Sequence, residues 1–142
     1  MDDKDKLDQI NRRIIGGAIE VHKTVGPGLL ESAYQACLAF ELREAGLKVE
    51  EQLPLPVVYK NVKLDCGYRI DLLVEREILV EIKAIEGLAP IHDAQLLSYL
   101  HLSGKRVGLL MNFHSRVLKH GLKRIVNEFP DSALSAYSAV NQ

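Results

Sequence analysis

The chain has 142 residues, 47% hydrophobic and 26% charged, with a formal net charge of -1 at pH 7. A chain of that length corresponds to one domain able to bury about two thirds of its unfolded surface, and the composition excludes disorder as its main state. The charge excludes a polycation that coats nucleic acid indiscriminately, and no apolar run reaches membrane-spanning length.

Residues 1–25 open on a charged segment, with no export signal visible, followed by Leu7, Ile10, Ile14, Ala18, Val21 and Val25. Steps of three and four predict a helix over residues 7–25, stopped by Gly26-Pro27-Gly28. A second helix is expected over residues 30–45, ending at Gly46. Short runs rich in β-branched and aromatic residues then predict strands at 49–53, 57–59, 68–74 and 78–82, with Pro54 and Pro56 placing the first pair at an edge. Pro90 starts a third helix, with Gly104 as its stop. Residues 106–111 and 122–126 read as strands, and 132–140 as a short helix. Cys37 and Cys66 fit neither a disulfide framework nor a zinc pattern. They are expected as buried apolar side chains in a reducing, cytoplasmic setting.

The most informative stretch is Gly67 to Lys83. Alternation puts Glu81 and Lys83 on one face of a strand, with Ile78, Val80 and Ile82 on the other. If Glu75-Arg76-Glu77 form a three-residue loop, Ile70, Leu72 and Val74 fall opposite Ile82, Val80 and Ile78. The apolar face then stays continuous, and Asp71 is set across from Glu81. Two carboxylates in that relation repel each other, and a bound cation removes the objection. Hard oxygen donors from Asp71, Glu81 and the Ile82 carbonyl, completed by water and phosphate, suit Mg²⁺, with Mn²⁺ as a substitute. Lys83 shares the face of Glu81 and is placed to orient or deprotonate an attacking water and to stabilise charge on a phosphate. The bland alternative is three solvated or ion-paired charges on an exposed hairpin.

The hairpin resembles the core of the PD-(D/E)xK nuclease superfamily, with Asp71 as its aspartate and Glu81-Ile82-Lys83 as its E-x-K. The run from Gly28 to Tyr34, with Glu31 at its centre, resembles the G-x-x-E-x-x-Y signature of the GxxExxY protein family. Gln95 to Tyr99 resembles the Q-x-x-x-Y motif of the RecB-like exonuclease branch. The likeness runs from about Ile14 to Arg124, and it lacks the proline before Asp71. It implies a single restriction-endonuclease-like αβββαβ domain over residues 1–142, a mixed central sheet flanked by helices. It also implies metal-dependent hydrolysis of phosphodiester bonds, with Glu31 assisting the metal and Gln95 and Tyr99 assisting the reaction.

Each of these residues also has an ordinary role: a charge in the first turn of a helix for Glu31, an exposed polar stripe for Gln95, Tyr99 and His92, and a structural histidine at His22. Arg69, two before Asp71, suits a phosphate or an ion pair. Residues 101–142 carry 6 Lys/Arg against 2 Asp/Glu. Lys105, Arg116, Lys119 and Lys123 are therefore candidates to track a nucleic-acid backbone. DNA is the expected partner, and no membrane is. A domain this small offers little surface for a duplex, so a second copy or partner is one way to hold it. The rival reading is a catalytically idle nucleic-acid- or protein-binding module on the same fold.

Overall fold

In the computed structural model, which describes residues 2–128, the first helix, α1 (Asp3–Val25), starts ahead of the apolar period. Asp2 caps it by accepting from the Asp5 amide at 2.8 Å, and Asp3 and Asp5 lie in its positive first turn. The charged N-terminal segment is capping sequence, a signal that periodicity does not carry. Leu7, Ile10, Ile14, Ala18 and Val21 form the buried stripe. Gly26 ends the helix at φ 69°, a left-handed turn that suits glycine. The second helix, α2 (Glu31–Glu44), buries Tyr34, Leu38, Ala39 and Leu42. It approaches so closely that a Cβ on Gly17 would stand 3.0 Å from Leu42.

The strands are β1 (Val49–Pro54), β2 (Val57–Tyr59), β3 (Val62–Leu64), β4 (Arg69–Val74) and β5 (Ile78–Lys83), then, after α3 (Pro90–Ser103), β6 (Val107–Asn112) and β7 (Leu122–Val126). Five of them form one sheet in the order β1-β4-β5-β6-β7. Only β5 and β6, joined through α3, run parallel. β2 and β3 form a separate ribbon. β3 carries little strand signal of its own and pairs because Lys60 and Asn61, at φ 48° and 66°, make a turn matched to strand twist. With the ribbon set aside, the order is the expected αβββαβ, with a second helix before it and a fifth strand after it. The helix expected at 132–140 lies outside the described residues. No helix among the described residues is long and apolar enough to cross a membrane.

Helices cover both faces of the sheet. One core, under α1 and α2, contains Leu38, Leu42, Leu72, Val74, Val80 and Ile82. The other, under α3, contains Leu73, Leu79, Leu96, Leu100 and Leu110. The β4–β5 hairpin is thus buried on both faces, where alternation led us to expect one apolar face and one charged. Strands covered from both sides lose the clean period of two. Cys37 is half-buried and Cys66 exposed, so the expectation of two buried thiols fails at Cys66, just before β4.

Candidate active site

The β4–β5 register is Leu72 with Val80, Leu73 with Leu79 and Val74 with Ile78, across the three-residue turn Glu75-Arg76-Glu77. The pairing of Ile70 with Ile82 expected from the sequence does not form: the ladder stops at Leu72. The β1–β4 ladder breaks at the same level, passing from Glu51–Leu72 to Leu53–Ile70, with Gln52 between them at φ 50°. A left-handed residue in a strand acts as a bulge does, adding twist and re-aiming the side chains beyond it. Accordingly Ile70 packs into the core under α3, whereas Leu72 and Val74 pack into the other. Asp71 stands at this change of face, in the gap of both ladders.

Its carboxylate fills the gap. Oδ2 accepts from the Ile82 amide at 2.8 Å, and Oδ1 accepts from Gln52 Nε2 at 3.1 Å. In an extended strand the N–H and C=O of one residue point to the same side, so the Ile82 carbonyl lies on the β4 side of β5. Glu81 is half-buried against that carboxyl. Its own pKa is pushed up from 4.5 to about 9, by burial first and then by the hydrogen bond and charge of Asp71. Glu31 adds to the rise and Lys83 opposes it. Glu81 is therefore the acid that holds a proton at neutral pH.

Lys83 ends β5, where its carbonyl accepts from Phe113 at 2.9 Å. The next amide, Ala84, donates to Glu31 Oε2 at 3.1 Å, which brings the start of α2 to the edge of the acid pair. Tyr34 holds the loop before Glu31: its hydroxyl donates to the Gly26 carbonyl at 2.5 Å and accepts from the Leu29 amide at 3.1 Å. Its ring stacks on Phe113 at 4.6 Å. Tyr99 reaches the site from α3, and its phenol is pushed up by burial first, then by Glu81, Tyr68 and Asp71. Gln95, one turn earlier, is exposed, as is Arg69 at the start of β4.

The basic candidates are not gathered into one patch. Lys123 is paired with Asp93 at 3.2 Å. Arg116 and Lys119 line a groove of about 620 Å³ against α1, together with His22 and Lys23. Lys105 precedes β6 at the end of the sheet where β5 begins, since Ile78 pairs with Val107. Of the histidines, His92 accepts from the Ala89 amide at 2.8 Å and caps α3, and His22 Nε2 lies 2.7 Å from the Ser115 carbonyl. Both serve the structure.

Four neighbours escaped the sequence reading. Gln52 bonds Gln35 Oε1 at 2.6 Å as well as Asp71, and Gln35 continues to Glu51 at 3.2 Å, which Arg43 grips at 2.9 Å. Nothing in a polar run before a proline marks such a relay. Asn112, 2% exposed, donates to the Ile85 carbonyl at 2.9 Å and accepts from the Ile85 amide at 3.1 Å, tying the chain after β5 to the end of β6. A lone amide closing an apolar strand could have been noticed. Tyr68 adjoins Tyr99 with ring centroids 5.8 Å apart.

Among the described residues no three His, Cys, Asp or Glu side chains converge to hold an ion by themselves. A cation here would rest on Asp71, Glu81 and the Ile82 carbonyl, with water completing its shell. These hard donors fit a divalent ion, which would offset both the burial of Glu81 and the charge of Asp71 beside it. Neither the curated proteins nor the solved structures gave a match. A family model did, over residues 8–125, and its description is the PD-(D/E)XK nuclease superfamily.

Proposed function

The chain belongs to the PD-(D/E)XK nuclease superfamily, and we propose that it is an Mg²⁺-dependent nuclease acting on DNA. Superfamily membership suggests phosphodiester cleavage, and such nucleases generally use divalent ions. The five-stranded mixed sheet flanked by helices is consistent with a restriction-endonuclease-like fold. The observation that carries the finer reading is the contact of the Asp71 and Glu81 carboxyls at the broken end of the β4–β5 ladder, with Lys83 beside them.

In this reading Asp71, Glu81 and the Ile82 carbonyl bind the ion, which supplies positive charge that activates water and stabilises the attacked phosphate. Lys83, as an ammonium, orients the attacking water and faces the charge that develops on phosphorus oxygens. Glu31 fixes the end of β5 through Ala84 and adds negative charge at the ion. Tyr99 presents a phenol that stays protonated and able to donate, and Gln95 serves phosphate from the same helix. Arg69 lies nearest in sequence for a phosphate contact. Arg116, Lys119 and Lys123 would meet a longer backbone, and Lys105, at the far end of the sheet, has the weakest geometric support. The motifs around Glu31 and Gln95 support assignment to the GxxExxY family and the RecB-like branch. We place all 142 residues in one cytoplasmic domain, with a second copy able to extend the binding surface.

Labelled single- and double-stranded DNA and RNA incubated with Mg²⁺, with Mn²⁺ and with chelator test the reading. Cleavage of DNA with either metal and none with chelator is expected. Binding without cleavage in all conditions would favour the idle module. Gln52 supplies a narrower check, because groups that orient a metal ligand typically change affinity or activity about 10–100-fold when lost. Gln52→Ala should weaken Mg²⁺ binding, measured calorimetrically, by about tenfold. An unchanged affinity would remove Gln52 from the site.

A further inference from the structure

Tyr68 stands immediately before β4, three residues from Asp71, and 46% of its surface is exposed. Its backbone is fixed on both sides. The carbonyl accepts from the Leu55 amide at 2.9 Å at the base of the ribbon, and the preceding Gly67 takes a left-handed φ of 78° with its amide on Asp65 at 3.0 Å. The ring is braced by Tyr99, but the two planes meet at 56° rather than lying parallel. Tyr99 therefore braces the Tyr68 ring without stacking flat on it, and the ring stays 46% exposed. Tyr59, the other exposed aromatic of this region, differs in that Lys60 lies over its ring at 5.4 Å.

The charges around Tyr68 make such a face informative. Asp71, Glu81 and Glu31 are acidic, and the basic residues of the last third are paired or spread over other surfaces. Lys83 and the exposed Arg69 offset only part of that charge, so a contact that does not depend on phosphate adds to what they supply. Stacking of a base on an aromatic ring is independent of charge and is available to every base once it is unpaired. A duplex offers no free base face to a ring beside the site.

We infer that Tyr68, braced by Tyr99, is a stacking subsite for an unpaired nucleobase, so that the substrate reaches the Asp71–Glu81 pair as a single strand or an opened end. This rests on the nuclease reading above and specifies its substrate. The chain contains no tryptophan, so Tyr68→Trp places a unique fluorophore at the subsite. In chelator, a single-stranded DNA oligonucleotide should quench the indole fluorescence of this variant strongly and a blunt duplex of the same sequence only weakly. In parallel, Tyr68→Ala should raise the Kd for the single strand about tenfold, with Tyr68→Phe keeping native affinity and duplex binding unmoved in both.

Tyr68→Ala is the arm that remains if the tryptophan variant does not fold, as judged by circular dichroism. An indole left unquenched under a bound single strand, or equal losses on single strand and duplex, would overturn the subsite. Metal-dependent cleavage alongside that result would leave the nuclease standing. Quenching in the Tyr68→Trp variant with no cleavage by the native chain would keep the subsite and discard the nuclease. No binding of either strand form would overturn both.

Discussion

Lys83→Ala should retain the Mg²⁺-dependent gain in thermal stability and much of the nucleic-acid affinity, yet cleave on the order of a hundredfold or more slowly, the scale of one electrostatic or acid–base group. The separation follows from where Lys83 stands. The proposed metal donors are Asp71, Glu81 and a backbone carbonyl, none of which would depend on the ammonium, while Lys83 adjoins Glu81. Its loss removes an interaction with the reacting groups and leaves binding of the ion in place. Lys83→Arg should not rescue the rate. A planar guanidinium spreads its charge over a fork of donors and is bulkier than an ammonium in a half-buried position. Single-turnover cleavage with melting curves at millimolar Mg²⁺ provides both readouts. Cleavage by Lys83→Ala at the native rate would sink the assigned role.

The second large effect is the coupling of metal, proton and stability at Glu81. Its pKa rises from 4.5 in the unfolded chain to about 9 in the folded one. Between those values the folded chain holds a proton that the unfolded chain releases, so the contribution of this group to metal-free stability falls as pH rises through that window. Binding of Mg²⁺ must displace the proton. Calorimetry at pH 7 in buffers of different ionisation enthalpy should therefore register release of about one proton per ion bound. Millimolar Mg²⁺ should raise the melting temperature increasingly with pH. Glu81→Gln should abolish the release, and Asp71→Asn with Glu81→Gln should abolish the thermal gain. A melting curve indifferent to millimolar metal would count heavily against the site.

The hairpin register was legible, because only a three-residue turn keeps Leu72 and Val74 over Val80 and Ile78; it brings Asp71 and Glu81 near each other, although the ladder stops short of pairing them. Helix ends at Gly26 and Gly104 were legible from local steric rules. The break in the ladder was not, because it depends on a left-handed backbone at Gln52, and glutamine gives no sign of one. The ion pair of Lys123 with Asp93 and the distance of Lys105 from the acid pair were equally hidden. Both depend on how α3 and β6 return across the sheet, which charge counts along a sequence do not encode. His92 and His22 could be weighed for roles beside the site, with a structural role favoured for each, and the bonds they make are structural.

Leu73 and Leu79 carry the apolar surface under α3 right up to Asp71 and Glu81, so the fold closes over this end of the sheet without help from the acids. An uncharged side chain at position 81 would complete that surface and remove an unfavourable desolvation. Selection for activity and selection for stability therefore pull in opposite directions at this one position. A lineage released from the need to cut nucleic acid would gain stability by discarding Glu81, and would keep the scaffold for other uses.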